Sequence, residues 1–281
     1  MKNFADRVAV ITGAGSGIGR ALAIELAARG AKLAVSDIDE IAVADTAAHC
    51  EKLGAEARSY RLDVADRAAV TAHAEAVATE FGRVNLVVNN AGVAVMATVE
   101  DLSYEDFDWI VGINFWGVVH GTKAFLPHLI ASGDGHLVNI SSVFGLVGVP
   151  TQSAYNATKF AVRGFTEALR QEMLIEKRPV GVSCVHPGGI RTNIARDARS
   201  ADDSTADQRA TDFARIARTT PEDAAKTILR GVERNRSRIL IGPDAYVFDA
   251  VPRLLGPSYQ RVAALGARVA KRFGAPLGGG L

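Results

Sequence analysis

Residues 137–159 read LVNISSVFGLVGVPTQSAYNATK. Tyr155 and Lys159 stand four apart in a stretch with helical patterning, so their side chains share one face. A tyrosine with an ordinary pKa of about 10 is a poor base at neutral pH. An ammonium beside it favours the phenolate and makes it a usable proton acceptor or donor. Ser142, at the mouth of the preceding strand pattern, could hydrogen-bond the same substrate oxygen. Such a pair alone is more often a surface helix contact. Its chemical meaning depends on what else the chain brings nearby.

A second group of residues supplies that context. AVITGAGSGIGRALAIELAARG, residues 9–30, places Gly13, Gly15, Gly17 and Gly19 between an apolar strand pattern and a helix beginning near Ile18. A loop without Cβ atoms turns sharply and lets a ligand come close. The N-terminus of the following helix directs unpaired N–H groups and partial positive charge at that loop, which suits a pyrophosphate. No Lys-Ser/Thr follows the glycines, which disfavours nucleoside triphosphate hydrolysis. Asp37 lies eighteen residues beyond Gly19 at the end of the second strand pattern. A carboxylate there accepts both ribose hydroxyls of an adenosine and repels a 2′-phosphate, so NAD is expected over NADP.

These residues need a scaffold. The chain has 281 residues and 48% hydrophobic content, enough for a sizeable core. A net charge of +1 offers no electrostatic reason to expect a nucleic acid partner. Cys50 and Cys184 have no CxxC spacing, so neither a disulfide framework nor a zinc knuckle is expected, and a reducing, cytoplasmic setting suits the composition. The first residues run straight into a strand pattern without a signal-peptide core, and no apolar run is long enough to cross a bilayer. Apolar strand patterns at 8–12, 32–37, 57–62, 86–89, 136–140, 180–186 and 238–241 alternate with helical stretches. This reads as an α/β fold with a doubly wound parallel sheet and helices on both faces. The polar run 195–212 is too charged for core and is expected to be a mobile excursion.

TGAGSGIG at 12–19, NNAG at 89–92, Asn114, Ser142 and YNATK at 155–159 together resemble the short-chain dehydrogenase/reductase family. The resemblance covers about residues 6–242 and implies a single Rossmann-type catalytic domain there, with 243–281 as an extension rather than a separate domain. It implies Tyr155 as acid/base, Ser142 as its partner on the substrate oxygen, and Lys159 as the residue that lowers the tyrosine pKa and holds the nicotinamide ribose. Asn114 resembles the helix residue whose backbone holds a water linking Lys159 to solvent. On the cofactor side, Ser16 and Ile18 join the glycines at the pyrophosphate, and Asp63 and Val64 resemble the adenine contacts. Asn90, Ala91 and Gly92 resemble the turn against the adenosine ribose, and Pro187, Gly188, Ile190 and Thr192 resemble the segment that fixes the nicotinamide. A homodimer or homotetramer is implied as well.

The remaining candidates are weaker. None of the six histidines has a second ligand at metal spacing, so no metal site is expected, and His186 and His120 read as satisfied strand and helix histidines. Trp109 and Trp116 suit a packing or subunit stripe, and Asp101, Glu105, Asp106 and Asp108 suit a helix cap and solvated face. Residues expected around the substrate, Val93, Val95, Met96, Val143, Phe144, Val147, Val149 and Gly189, are mostly apolar, pointing to a hydrophobic secondary alcohol or ketone. Residues 191–215 are expected to act as its lid. An NAD-retaining epimerase or dehydratase would need a larger substrate domain than 243–281 can make. A non-catalytic dinucleotide sensor would be expected to lack Tyr155 or Lys159. In the tail, Val262, Leu265, Val269 and Phe273 form a helical stripe beside Arg261, Arg268, Lys271 and Arg272. It would lie on an anionic membrane or cover protein surface; its shortness, the absence of tryptophan and Gly266 favour protein.

Overall fold

Strands buried on both faces have to be apolar at every position, and Val8–Thr12 shows why. Val8 and Val10 pack into one cluster with Phe125, Leu129 and Leu137, whereas Ala9 and Ile11 pack into the other with Leu22, Leu26 and Ile228. The computed structural model describes residues 1, 3–201 and 205–272. In chain order, the first half runs β1 (Val8–Thr12), α1 (Gly17–Ala27), β2 (Lys32–Asp37), α2 (Glu40–Lys52), β3 (Ala57–Arg61), α3 (Arg67–Phe81) and β4 (Leu86–Asn89). A short β5 (Val95–Met96), α4 (Tyr104–Val111), α5 (Gly117–Ala131), β6 (Gly135–Ile140) and α6 (Ser153–Ile175) follow. Then come β7 (Val180–Pro187), β8 (Arg199–Ser200), α7 (Ala206–Ile216), α8 (Pro221–Glu233), β9 (Arg238–Ile241), α9 (Pro243–Leu255) and α10 (Tyr259–Arg272).

Seven strands form one parallel sheet in the order β3-β2-β1-β4-β6-β7-β9. The connections run outward in opposite directions from β1 and β4, which opens a crevice beyond the carboxyl ends of those strands. All seven expected strands are present, with ends shifted by no more than one residue. The sequence reading did not anticipate β5 and β8, which pair with each other in parallel away from the main sheet. Two residues are too few to carry a periodic pattern.

The described residues of the polar run 195–212 include regular structure that the sequence reading did not anticipate. Arg199 and Ser200 pair with Val95 and Met96, and α7 opens on a capping box in which Thr205 and Gln208 satisfy one another's backbone N–H groups. The Thr-x-x-Gln spacing was the legible signal for that helix. The Arg199 guanidinium lies 3.8 Å from the Trp109 ring centroid and pairs with Asp106 at 2.8 Å, fastening the segment to α4.

Between α4 and α5 the chain makes a π-helical turn, Gly112–Trp116. Trp109 and Trp116 therefore do not share a stripe: the wider turn breaks the 3.6-residue period, Trp109 lines the central cavity and Trp116 is half exposed. Asp106 likewise does more than solvate its helix, because it holds Arg199. In the extension, α9 buries Ala245 and sends Phe248 to the cavity, while the Gly148 N–H donates to Tyr259 Oη at 3.2 Å. Val262 and Leu265 are exposed. The Val269 side chain and all of Phe273 lie outside the described residues.

Candidate active site

The glycine loop is shaped by two contacts. Gly13 has φ +66°, a left-handed conformation that side-chain-bearing residues rarely adopt. A Cβ on Gly19 would run into the Gly13 carbonyl and the Asn90 side chain, so α1 can approach the loop only with glycine there. Asn90 completes the cradle from β4, its Nδ2 donating to the carbonyls of Thr12 and Gly13 at 3.0 Å each. Asp37 closes the loop from β2, with Oδ2 accepting the Gly15 N–H at 2.8 Å and Oδ1 accepting the Asp39 N–H at 3.1 Å.

One cavity of about 700 Å³ runs from this loop to Tyr155. Of the residues proposed from sequence for the cofactor, all but Gly15 and Gly19 line it. Gly15 serves instead as a donor to Asp37 and Gly19 as the close packing point just described. A loop of small residues backed by a helix N-terminus, facing a strand-end carboxylate, fits a dinucleotide.

At the far end, Tyr155 lies in the first turn of α6 and is largely buried, as is Lys159 one turn on. The Lys159 Nζ donates to the Ile140 carbonyl at 3.1 Å and stands 5.5 Å from the Tyr155 ring centroid. Burial pushes Lys159 down to about 8. Burial also pushes Tyr155 up to about 12, with the Ser142 hydroxyl acting in the opposite sense. In the free protein, therefore, burial outweighs the Ser142 hydroxyl, and Tyr155 rests as a neutral acid. Ser142 caps the short 3-10 turn Val143–Gly145, its Oγ accepting the Phe144 N–H at 3.1 Å.

Asn114 does not line the cavity. It sits in the π turn, fully buried, and its side chain clamps Val93 by accepting the Val93 N–H at 2.8 Å and donating to the Val93 carbonyl at 2.9 Å. Its Nδ2 also reaches Thr158 Oγ1 at 3.4 Å, linking the loop after β4 to α6.

A family model described as short chain dehydrogenase matches residues 7–203. A protein named oxidoreductase SadH from Mycobacterium tuberculosis is 56% identical over 274 residues, covering 97% of this chain and 99% of the relative. The chain belongs to the short-chain dehydrogenase family. A Cα-dehydrogenase of a Sphingobium strain is 41% identical over 201 residues, covering 71% of this chain and 65% of that protein. Among solved structures, a short-chain dehydrogenase/reductase from Burkholderia phymatum in complex with NAD is 34% identical, with a TM-score of 0.84. That match covers 91% of this chain and 95% of the other. Family membership makes the protein an oxidoreductase.

Several residues of this dehydrogenase site escaped the sequence reading. Asn156, inside the YNATK motif, accepts the Val149 N–H and donates to the carbonyls of Phe144 and Val147, tying the loop over the cavity to α6. Asp244 accepts the Gly189 N–H at 2.7 Å from the first turn of α9. Phe213, Ile216 and Phe248 join Trp109 on the apolar wall, whereas Val95 and Val147 do not reach it. Arg209, Asp197 and Asp212 add charge to a lining expected to be mostly apolar. No group of metal-ligating side chains occurs among the described residues, and none of their helices is long and apolar enough to cross a membrane.

The depressed lysine has a consequence for stability. The unfolded chain binds a proton at Lys159 more readily than the folded one, so its charge weakens the fold. That penalty is fully present below about 8 and is relieved as pH rises through that value toward 10.5. Lys159→Met should abolish turnover yet melt higher than the unaltered protein at pH 7. The difference, followed by calorimetry, should narrow as the pH approaches 10.

Proposed function

We propose that this oxidoreductase interconverts a hydrophobic secondary alcohol and its ketone with NAD, using Tyr155 as the acid/base. The observation that carries the reading is a single cavity with Ser142, Tyr155 and Lys159 at one end and the glycine loop with Asp37 at the other. Bound NAD supplies the hydride acceptor, and its reduced form the donor, at the carbinol carbon. Tyr155 Oη gives its proton to the carbonyl oxygen during ketone reduction; for alcohol oxidation the phenol must first lose its proton, and the phenolate then takes the hydroxyl proton. Ser142 Oγ already accepts the Phe144 N–H, which leaves its own hydrogen for the substrate oxygen. Lys159, anchored on the Ile140 carbonyl, opposes the charge that builds on the phenol as it gives up its proton. Asn114 belongs to the same set through a backbone-held water that relays protons from Lys159.

Asp37 selects NAD, because the negative charge of a 2′-phosphate would share its small site. The substrate body rests on Met96, Trp109, Phe144, Phe213, Ile216 and Phe248, which suits an aryl or alicyclic skeleton. Residues 191–215 form a lid over it, excluding water from the reaction. The protein works in the cytoplasm as a homodimer or homotetramer; exposed Trp116 and Phe160 offer a second copy apolar surface.

Two variants test the chemistry. With the best alcohol from a panel of aryl and alicyclic secondary alcohols, Tyr155→Phe should lose about 10²-fold or more in kcat. Its affinity for NADH, read by fluorescence, should stay the same; normal turnover would sink the mechanism. The unaltered enzyme should favour NAD over NADP by at least about 10-fold in kcat/KM, and Asp37→Ser should narrow that gap. Equal use of both cofactors by the unaltered enzyme would remove the role given to Asp37.

The lid makes its own prediction. Arg199→Ala removes both the Trp109 contact and the Asp106 pair, each worth about 1 kcal/mol at a partly exposed site. KM for the alcohol should rise about 3- to 10-fold with NADH affinity unchanged. An unchanged KM would separate this segment from substrate binding.

A further inference from the structure

Ser142 can donate to a substrate oxygen only if its Oγ is held at the right angle, and that angle is set by the backbone where the chain leaves β6. The β6–β7 pairing continues to the Ser141 N–H, which donates to the Val185 carbonyl at 2.8 Å. At the next position a side chain takes over from the backbone. The Ser142 carbonyl accepts from His186 Nδ1 at 2.9 Å and from the Gly145 N–H at 2.9 Å.

His186 lies on β7, fully buried, and is paired across to Leu240 of β9. A carbonyl oxygen only accepts, so Nδ1 carries the ring hydrogen and Nε2 presents a bare lone pair. That lone pair has no partner among the described residues. An apolar side chain at 186 would avoid an unpaired buried acceptor, so packing alone does not account for a histidine here. Burial pushes the ring down to about 4, which keeps it neutral in ordinary working conditions.

We infer that His186 is a positioning residue for the reaction, its Nδ1–H fixing the Ser142 backbone and through it the direction of the Ser142 hydroxyl. This rests on the reading above, in which Ser142 donates to the substrate oxygen.

The test compares His186→Leu, His186→Asn, His186→Gln, Ser142→Ala and the double variant Ser142→Ala/His186→Leu, using the same alcohol panel and NADH fluorescence. His186→Leu should lose about 10-fold in kcat with NADH affinity unchanged. His186→Asn carries an amide nitrogen where Nδ1 stood and should recover to within about 3-fold of the unaltered enzyme; His186→Gln, with its amide one carbon further out, should not. The double variant should be no slower than Ser142→Ala alone, because a residue acting through Ser142 has nothing left to position. Losses that multiply in the double variant would overturn the proposal, as would an Asn variant no faster than Gln. The Asn–Gln comparison stands by itself if His186→Leu does not fold. An impaired Ser142→Ala beside a fully active His186→Leu would overturn the role of His186 alone. A fully active Ser142→Ala would overturn the underlying reading with it.

Discussion

A buried ammonium has to be held, and Lys159 is held from both directions by the exit of β6. Its Nζ donates to the Ile140 carbonyl, while its own backbone carbonyl accepts the Ser141 hydroxyl at 2.8 Å. The side chain is thereby pinned along the strand end, where its charge is costly but cannot escape to water. The surrounding parts keep clear of these two bonds. Gly145 is bare where a Cβ would strike Ser141 Oγ and the Lys159 carbonyl. Tyr155 is then carried to the same place by the helix, one turn earlier.

Two buried asparagines connect this anchor to the rest of the cavity. Asn114 clamps Val93 as a neighbouring strand would, and Asn156 holds the loop over the cavity by three bonds. Both satisfy backbone groups that would otherwise be buried unpaired, so they stabilise the loops and place them in one step. The π turn that carries Asn114 interrupts an otherwise continuous helical run. Interruptions of this kind are common at functional sites because they re-aim a side chain that a regular helix would direct elsewhere.

The outer wall follows a different logic. Trp109, Phe213 and Phe248 come from three elements distant in sequence, and each leaves an apolar face toward the cavity. Phe248 meets Phe144 edge to face, whereas the Trp109 side is fastened by polar, peripheral contacts: the Arg199 stack, the Asp106 pair and the two-residue β5–β8 ladder. The inner end is tied by buried hydrogen bonds and the outer end by partly exposed contacts. That contrast suits a rigid reacting end and a substrate wall that can yield.

Much of the molecule was legible from residues alone. Continuous apolar strands at 8–12 and 86–89 can only be central strands covered on both sides, because any exposed face would have shown alternation. The glycines of 13–19 announced a sharp strand-to-helix turn open to a ligand, whereas the packing role of Gly19 came only from the fold. Tyr155 and Lys159 declared a shared face through helical spacing. The tertiary structure decided what spacing could not express. The π turn separated Trp109 from Trp116, and Arg199 turned a charged run into part of the cavity wall. Phe248 and Asp244 reached the site from beyond the last strand, and His186 came to rest behind Ser142. Each of these depends on contacts between segments far apart in the chain, where local periodicity carries no information and only packing determines which side chains meet.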